Sequence, residues 1–461
     1  MTASVSPTRN AGARWSSNAA FVLTAAGTAI GLGNVWRFTF VAGENGGGLF
    51  VFIYVITVLA VGLPIMIAEL LTGRNGRGAP IQAIATLTAR HSASRGWLGV
   101  GLLSVFIPFV GIGYYSIVSG WILDYLARYA AFGGLTGSGA DMEDRFDALL
   151  ASPLRLQLWH TFFILMVSAI VARGVRAGVE RAAKLFMPAL FVMLLGLVAY
   201  AAFYGDFGRG AAFLFRPDFS KLSFEVVLLA VGQAFFSLAI GIGALMTFGS
   251  YLDEKTSLLK AAGTVAIADT AVAILAGLAI FPLVFANGLD ADEGPGLIFV
   301  TLPTAFANMA GGHVIGAAFF LLLFFAAFTT GIGTMEPVVA WLVERGVRRG
   351  RAALYVGAGA WALGAVIAFS FNVWSGVRPA GFVPALEEKG IFDLVDFTIA
   401  SVLLPINGLL IVLFVGRVLP RSVSRMELQT SETVYKIWRA AIRYVAPLAI
   451  ASILMSLLFS W

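Results

Sequence analysis

The sequence predicts an all-α protein that crosses a membrane many times, and three observations support this fold class. Of its 461 residues, 59% are hydrophobic and 12% are charged, and the mean hydropathy is +0.89. A soluble domain of this length needs far more polar surface. Apolar segments long enough to cross a bilayer, about 20 residues each, recur along the whole chain, and basic and acidic loops alternate between them.

The apolar segments predict eleven transmembrane helices, joined by short connections. We expect spans near 17–43, 47–73, 97–130, 156–172, 178–205, 223–251, 258–286, 313–344, 351–372, 391–417 and 438–460. The two longest connections, at about 131–155 and 287–312, have room for short helices that act as lids.

The charges of the connections predict which side of the membrane each connection faces. One set is basic and lies near 74–95, 173–184, 255–260, 345–351 and 417–439; the alternate set is acidic or mixed and lies near 141–147, 290–293 and 387–393. Cytoplasmic loops carry the excess of lysine and arginine. The pattern therefore predicts a cytoplasmic N-terminal tail, 1–16, and a C-terminus outside.

The composition also excludes several classes of function. The chain has no cysteine, which excludes disulfides and cysteine metal sites. His91, His160 and His313 are far apart, and we interpret them as loop or interface residues. The basic residues, which give a net charge of +6, are spread over short loops, so no nucleic-acid partner is expected. No metal cluster or nucleophile–base set indicates an enzyme.

Several spans contain polar side chains that are costly in lipid, and each should therefore face protein, water or an ion. For Glu69 and Glu336 taken alone, an interhelical hydrogen bond is an equally good explanation. The full set is Asn34, Arg37, Glu69, Gln233, Asp269, Glu336 and Asp396.

Closely spaced glycines interrupt two of the spans. The first span contains Gly27, Gly31 and Gly33, and the sixth contains Gly241 and Gly243. Glycines two apart do not share a helix face, so close helix packing is a poor explanation. Unwound backbone at membrane depth is tolerated only where it lines a cavity. Both spans are therefore predicted to be discontinuous, with free carbonyls for a cation and free amides for an anion.

Four segments resemble the neurotransmitter:sodium symporter family, in particular its bacterial amino acid transporters. They read AGTAIGLGNVWRF, ENGGG, GQAFFSLAIGIGALMTFGSY and FFAAFTTGIGTMEP, and the likeness extends over the whole chain. The family uses broken helices at its ion and substrate sites. The resemblance implies one transporter domain over 1–461 in a bacterial inner membrane, with inverted five-helix repeats at 17–205 and 223–417 and an additional helix at 438–460.

The resemblance implies two sodium sites built from oxygen atoms, which hard cations prefer. The first takes the Ala29 carbonyl and the side chains of Asn34, Ser237 and Asp269. The second takes the carbonyls of Gly27, Ile30 and Ala326 and the hydroxyls of Thr329 and Thr330. For the threonines alone, hydrogen bonds back to their own helix are an alternative.

Chloride-dependent relatives hold the anion on four side chains, of which Tyr54, Gln233 and Ser237 match three. The fourth position falls on Ala273, so a hydroxyl is missing. Asp269 adds a fixed negative charge that would repel chloride, and we predict that the protein does not need it. Protonation of Asp269 on the empty return step, giving proton counter-transport, is a further hypothesis.

The resemblance places a substrate between the two broken helices. Gly31 stands where monoamine carriers have an aspartate, so a substrate carboxylate has room beside the amides of Gly31 to Gly33 and the Tyr115 hydroxyl. The substrate amine meets carbonyls around Ala29, Phe236 and Ser237. Without the resemblance, Tyr115 and the adjacent Tyr114 would also fit an aromatic packing pair.

A second set of residues is implied for the substrate side chain. These residues are small or apolar with one hydroxyl: Gly111, Val118, Ala239, Ile242, Gly331 and Thr334. Gly111 and Gly331 widen the cavity, which favours a hydrophobic or aromatic amino acid. Taurine or a β- or γ-amino acid remains an alternative.

Gates on both sides follow from the resemblance. On the outside, Arg37 and Asp396 are expected to close the site above a lid of Tyr115 and Phe236. An arginine–carboxylate pair suits a gate because it can form and can break when it is hydrated. The alternative is an ion pair that stays closed. Inside, the matching residues are Trp15, Tyr251 and Glu344, while the expected arginine position is Gly12, so that Arg9 or Arg14 substitutes. A two-sided gate favours a sodium-coupled importer with alternating access over a ligand-gated channel or a sensor.

Overall fold

The fold was analysed in a computed structural model that describes residues 14–131, 133–291 and 296–459. Within these ranges all regular secondary structure is helical. Arg9 and Gly12 of the predicted inner gate, and Asp292 and Glu293 of an acidic connection, lie outside the described residues.

Nine uninterrupted helices in the described ranges are long and apolar enough to cross a membrane. A tenth span consists of two helices bent by 55° at a short break. In chain order, span 1 is Asn18–Ala29 with Gly33–Glu44, span 2 Gly48–Gly76, span 3 Arg95–Ala131, span 4 Pro153–Ala172, span 5 Val175–Tyr204, span 7 Leu258–Ala286, span 8 Gly312–Glu344, span 9 Arg349–Phe371, span 10 Ile391–Val418 and span 11 Glu432–Leu457.

Span 6 is the second interrupted span. Its halves, Phe224–Ser237 and Ala244–Ser250, are each too short to cross alone. Together with the ten others they complete the eleven expected segments, and the breaks fall in the first and sixth spans, as the glycine pattern predicts.

Shorter helices connect the spans. The two long connections each contain one, Gly139–Leu150 and Leu297–Ala307, which agrees with the expectation of short helices there. The remaining ones are Pro80–Arg90, Phe207–Phe215, Phe219–Lys221, Pro384–Leu386 and Arg421–Leu428.

The break in span 1 keeps its backbone groups paired through side chains. The helix ends at Ala29, and Ile30 turns to an extended conformation with φ −70° and ψ 95°. Asn34 Oδ1 accepts from the Gly31 amide at 3.1 Å, and Gln233 Nε2 donates to the Gly33 carbonyl at 2.7 Å. A buried, unpaired backbone group costs as much as a lost hydrogen bond, so these two side chains make the break tolerable.

The break in span 6 is held in the same way from two other spans. Gly241 has φ +85° and Gly243 has φ +73°, left-handed conformations that glycine adopts without a steric penalty. Glu69 accepts from the Gly241 amide at 2.7 Å, and Asn407 donates to the Gly241 carbonyl at 2.6 Å. Glu69 therefore supports the unwound segment.

The polar side chains of the spans are sheltered from lipid, as their cost in a bilayer requires. Asn34, Glu69, Asp269 and Glu336 are fully buried. His160 is an interface residue: its Nδ1 lies 2.6 Å from the Ser116 hydroxyl and its Nε2 lies 3.0 Å from the Trp361 carbonyl.

Candidate functional site

A cavity of about 70 Å³ lies between the two broken spans. It is bounded by the break in span 1, the break in span 6 and the middle of spans 3, 8 and 10. Most of the substrate residues expected from the sequence line it: Ala29, Gly31, Gly33, Gly111, Tyr115, Phe236, Ala239, Ile242 and Thr334.

Three expected lining residues lie elsewhere. A Cβ on Gly331 would stand 3.0 Å from the Phe163 ring, so this glycine faces span 4 and does not widen the cavity. Ser237 turns toward Asp269 and donates to its carboxylate at 2.6 Å. Val118 is buried beyond the part of span 3 that borders the cavity, which ends at Tyr115.

The sequence reasoning missed several lining residues, most of them apolar. Ile399 and Leu404 come from span 10, at and just after a π-helical stretch, Phe397–Leu403. Apolar residues in an apolar span carry no local signal of a binding role. The added lining residues are Thr28, Leu32, Ile107, Pro108, Tyr114, Thr330, Ile399 and Leu404.

One end of the cavity presents polar groups near Gly31. The buried Tyr115 hydroxyl has no hydrogen-bond partner among the described residues, although it lies near the Thr330 side chain and the Leu32 backbone. A Cβ on Gly31 would stand 2.5 Å from Thr330 Oγ1 and 3.3 Å from the Tyr115 hydroxyl. A side chain would fill this end, so glycine keeps it open for a ligand.

The side chains of the first expected sodium site meet around Asp269. Its carboxylate accepts from Asn34 Nδ2 at 2.8 Å, from the Ser237 hydroxyl at 2.6 Å and from the Tyr54 hydroxyl at 3.2 Å. Asn34 points its NH₂ group at Asp269 because its oxygen accepts from the Gly31 amide. Ligation of a cation by the Asn34 oxygen requires the amide to turn over. Carboxylate, hydroxyl and amide groups are a suitable oxygen set for sodium.

Two of the residues expected to match a chloride site instead contact a carboxylate. The Tyr54 and Ser237 hydroxyls lie 3.0 Å apart and both donate to Asp269. Gln233 donates to the Gly33 carbonyl, and Ala273 is buried without a hydroxyl. The hydroxyls that would hold an anion therefore hold the Asp269 carboxylate.

The second expected sodium site brings a hydroxyl against the end of the first half of span 1. Thr330 Oγ1 lies 3.4, 3.1 and 3.5 Å from the carbonyls of Gly27, Thr28 and Ile30. The Thr329 hydroxyl instead donates to carbonyls of its own helix, at 2.9 Å to Phe325 and at 3.2 Å to Ala326. This is the alternative that the sequence left open for the two threonines. The oxygens of both threonines thus lie beside carbonyl groups of the predicted set.

The outer gate residues are close but not in direct contact. Arg37 lies over the Phe236 ring at 4.7 Å and interacts through its charge with Asp396. Across the described residues, no ion pair within 4.0 Å joins Arg37 to Asp396. Arginine therefore contacts the aromatic lid, and its carboxylate partner stands further away.

The inner side is closed by an aromatic cluster. Trp15 donates to the Phe248 carbonyl at 3.1 Å and packs on Tyr251 with ring centroids 5.9 Å apart. Tyr251 donates to Glu336 at 3.0 Å, and Glu336 also pairs with Arg349.

The expected inner acid and arginine have other contacts. Glu344 accepts from the Ala79 amide at 2.6 Å, so the carboxylate that contacts Tyr251 is Glu336. Arg14 pairs with Asp253 at 3.6 Å, and both side chains are mostly exposed. The sequence singled out Glu336 as a costly buried acid without identifying Tyr251 and Arg349 as its partners.

A larger cavity of about 830 Å³ lies outside this region, beside spans 3 and 4. Its acid, Asp124, is already paired with Arg128 at 2.8 Å and Arg155 at 2.6 Å. The smaller cavity is the better candidate, because it adjoins both helix breaks and an unpartnered hydroxyl.

Comparisons with known proteins agree with this geometry. The model of the sodium:neurotransmitter symporter family matches residues 12–133 and 150–460. An uncharacterized sodium-dependent transporter of Bacillus subtilis (strain 168), YhdH, is 33% identical and is aligned over 96% of this chain and 97% of its own. One from Haemophilus influenzae is also 33% identical, with 96% and 98% covered.

A solved structure is similar over nearly the same range. The crystal structure of MhsT in complex with L-phenylalanine matches with a TM-score of 0.87 and 38% sequence identity, covering 96% of this chain and 99% of that one. The human sodium- and chloride-dependent creatine transporter 1 is more distant, with 27% identity over 72% of this chain and 59% of its own.

Proposed function

The chain belongs to the sodium:neurotransmitter symporter family, a family of sodium-coupled membrane transporters, and from this premise we propose what it carries and how. The substrate is a zwitterionic amino acid with a hydrophobic or aromatic side chain. It enters the cell with sodium by alternating access, and chloride is not required.

The observation that carries this proposal is the open polar end of the cavity at Gly31. There the unpartnered Tyr115 hydroxyl and the unwound backbone of Gly31 to Gly33 border the cavity, and we expect them to receive a carboxylate. The Gly31 amide, which donates to Asn34 Oδ1, becomes available when the Asn34 amide turns over. The cavity lining contains no charged side chain. A substrate that is neutral overall therefore suits it better than an acidic or basic one, because an unpaired buried charge is costly.

The apolar part of the lining supports an apolar substrate side chain. It consists of Ile107, Pro108, Ile242, Ile399 and Leu404, with Thr334 as a hydroxyl. Gly111 adds room, since a Cβ there would meet nothing within 4 Å. The similar structure holds L-phenylalanine, which is an apolar amino acid of this kind.

Two sodium ions are proposed to bind next to the substrate. The first takes Ala29, Asn34, Ser237 and Asp269, and the second takes Gly27, Ile30, Ala326, Thr329 and Thr330. Asp269 supplies the negative charge beside the first ion. Because that carboxylate already engages Tyr54 and Ser237, transport without chloride is the expected behaviour.

The gates are proposed to alternate around the fixed site. Arg37 and Asp396 close the outside over Tyr115 and Phe236, and Trp15, Tyr251 and Glu336 close the inside. Five-helix repeats at 17–205 and 223–417 move relative to each other, with 438–460 outside them. The N-terminus is placed in the cytoplasm and the C-terminus outside a bacterial inner membrane, following the loop charges.

Uptake into proteoliposomes tests sodium coupling and chloride independence together. Accumulation of labelled L-phenylalanine is expected to need an inward sodium gradient and to stay unchanged when gluconate replaces chloride. Accumulation that requires chloride would contradict the role given to Asp269.

A screen of substrates tests the class of cargo. The twenty amino acids, taurine and γ-aminobutyrate are each added to the purified protein with and without sodium, and thermal stabilisation is measured. Apolar and aromatic amino acids are expected to stabilise it only with sodium. Stronger stabilisation by taurine or γ-aminobutyrate would favour the alternative substrate class.

A further inference from the structure

A basic groove lies where the connecting helix Arg421–Leu428 meets the start of span 11. It encloses about 320 Å³. Four cationic side chains and two tyrosines line it, and none of its lining residues is acidic: Arg421, Lys436, Arg439, Arg443, Tyr435 and Tyr444. The transport site does not use this groove.

The charges of the groove are not balanced by neighbouring acids. Glu432 pairs with Arg421 at 2.6 Å and reaches Lys436 at 4.0 Å. Arg439 and Arg443 have no acidic partner within 4.0 Å in the described part of the chain. The single carboxylate of Glu432 cannot neutralise the four cationic side chains that line the groove, so the groove keeps a net positive charge.

The arginines are held in place by the protein. Arg439 donates to the Ser424 hydroxyl at 3.0 Å and to the Gly416 carbonyl at 3.3 Å. Arg443 packs its stem on span 10, since a Cβ on Gly416 would stand 3.2 Å from Arg443 Cγ. A cationic site that is already ordered loses little entropy when it binds an anion.

The depth of the groove matches the phosphate level of a membrane. From Arg439 to Leu457, the last residue of span 11, the helix rises about 27 Å at 1.5 Å per residue. That length is close to the thickness of the hydrocarbon core, about 30 Å. Just beyond the arginines, Tyr444 and Leu448 are exposed on the outer face of the helix, where acyl chains lie.

A chain of contacts shows that the groove and the start of span 1 lie at the same end of the helix bundle. Glu427, in the connecting helix, pairs with Arg74 at 2.6 Å, and Arg74 donates to the Thr256 carbonyl. The Thr256 hydroxyl in turn donates to Asn18. With the proposed topology, this side is the cytoplasmic leaflet, where juxtamembrane basic residues attract anionic lipids.

We propose that this groove binds the headgroup of an anionic phospholipid. Arg439 and Arg443 donate to its phosphate, Lys436 and Arg421 neutralise further negative charge, and the acyl chains lie along Tyr444 and Leu448. The lipid joins span 10, the connecting helix and span 11 at the membrane surface.

Native mass spectrometry of the purified full chain tests the proposal with two lipids that differ only in headgroup. Dioleoyl-phosphatidylglycerol is expected to bind at least about tenfold more tightly than dioleoyl-phosphatidylcholine, since each basic residue near the surface contributes about fivefold. Lys436→Gln with Arg443→Gln is expected to lower phosphatidylglycerol affinity about 25-fold and phosphatidylcholine affinity by less, because the choline cation already balances the charge of that phosphate. Neither side chain donates a hydrogen bond to the described residues, so folding is retained, and helical circular dichroism checks this.

Two further variants complete the design. Arg443→Lys keeps the charge and is expected to keep the affinity within about threefold. Arg173→Gln removes an exposed arginine of the same membrane side outside the groove and leaves binding unchanged. Equal binding of both lipids, an equal loss with Arg173→Gln, or displacement of phosphatidylglycerol by millimolar inorganic phosphate would overturn the proposal.

Discussion

At the scale of single residues, Gly31 and Asp269 carry most of the chemistry proposed for the site. Gly31 keeps open the polar end of the cavity, where even a methyl group would crowd Thr330 and Tyr115. Asp269 gathers three donors from three different spans. Both residues are buried within the protein, so their effects depend on close contacts.

Gly31→Ala is expected to weaken amino acid binding and sodium binding together. The new Cβ stands 2.5 Å from Thr330 Oγ1, so the Thr330 hydroxyl must move away from the carbonyls of span 1. Overpacking of this kind costs about 1–3 kcal/mol, and we expect about a tenfold loss in equilibrium binding of L-phenylalanine.

Gly263→Ala is the matched control, since a Cβ there meets nothing within 4 Å. It is expected to bind as the wild type does. Equal losses in the two variants, or no loss with Gly31→Ala, would show that Gly31 does not border the substrate.

Asp269→Asn is expected to raise the sodium concentration for half-maximal uptake by about tenfold or more. The change keeps the volume but removes a charge, and interactions with charged partners contribute about 1.5–3 kcal/mol. Uptake by proteoliposomes at a series of sodium concentrations measures this half-maximal concentration. Asp144→Asn, an exposed acid, is the control, and a sodium curve unchanged by Asp269→Asn would reject the first sodium site.

At the scale of elements, the two breaks are specified by more than their glycines. Each unwound segment needs side chains from other spans to replace the helical hydrogen bonds it gives up. Gln233 serves the break in span 1, whereas Glu69 and Asn407 serve the break in span 6. Each break therefore depends on spans distant in the sequence.

Glu69→Ala is expected to destabilise the protein by about 2 kcal/mol, because it leaves the buried Gly241 amide without an acceptor. Thermal unfolding in detergent should show a lower midpoint. Glu69→Gln retains an oxygen that can accept from that amide, so its midpoint should stay close to that of the wild type. The same loss in both variants would mean that the negative charge matters more than the hydrogen bond.

At the scale of the whole molecule, the two sides of the protein are packed differently. The inner side has Trp15 bonded to Phe248 and packed on Tyr251. On the outer side, Arg37 lies on Phe236 and does not contact Asp396 directly. Alternating access predicts that closure of the outside brings Arg37 and Asp396 together.

Asp396→Asn is accordingly expected to reduce sodium-driven uptake at least about tenfold while equilibrium binding of L-phenylalanine changes by less than about threefold. Asp396 does not line the cavity. Loss of its negative charge should therefore slow closure of the outer gate without changing the contacts of the bound amino acid. Glu388→Gln, an exposed acid in the preceding connection, serves as the control. A parallel fall in binding and uptake would indicate a role in the binding site itself.

The sequence by itself determined the membrane class, the spans and the two breaks. Apolar length and loop charge are local properties, and a span has few alternatives in lipid. The four motif segments also identified the family, and nine of the seventeen residues that line the cavity were expected from the resemblance. The bounds of the predicted spans differ from the structure mainly at their ends, as at span 11, which begins at Glu432.

Only the tertiary structure decided which side chains meet. Gly331 faces Phe163. Tyr251 contacts Glu336, where the sequence had suggested Glu344. The NH₂ group of Asn34 points at Asp269. The tertiary structure also added Ile399 and Leu404 from span 10 to the cavity. These contacts join residues on separate spans, and their geometry follows from how the helices pack, which no local pattern in the sequence encodes.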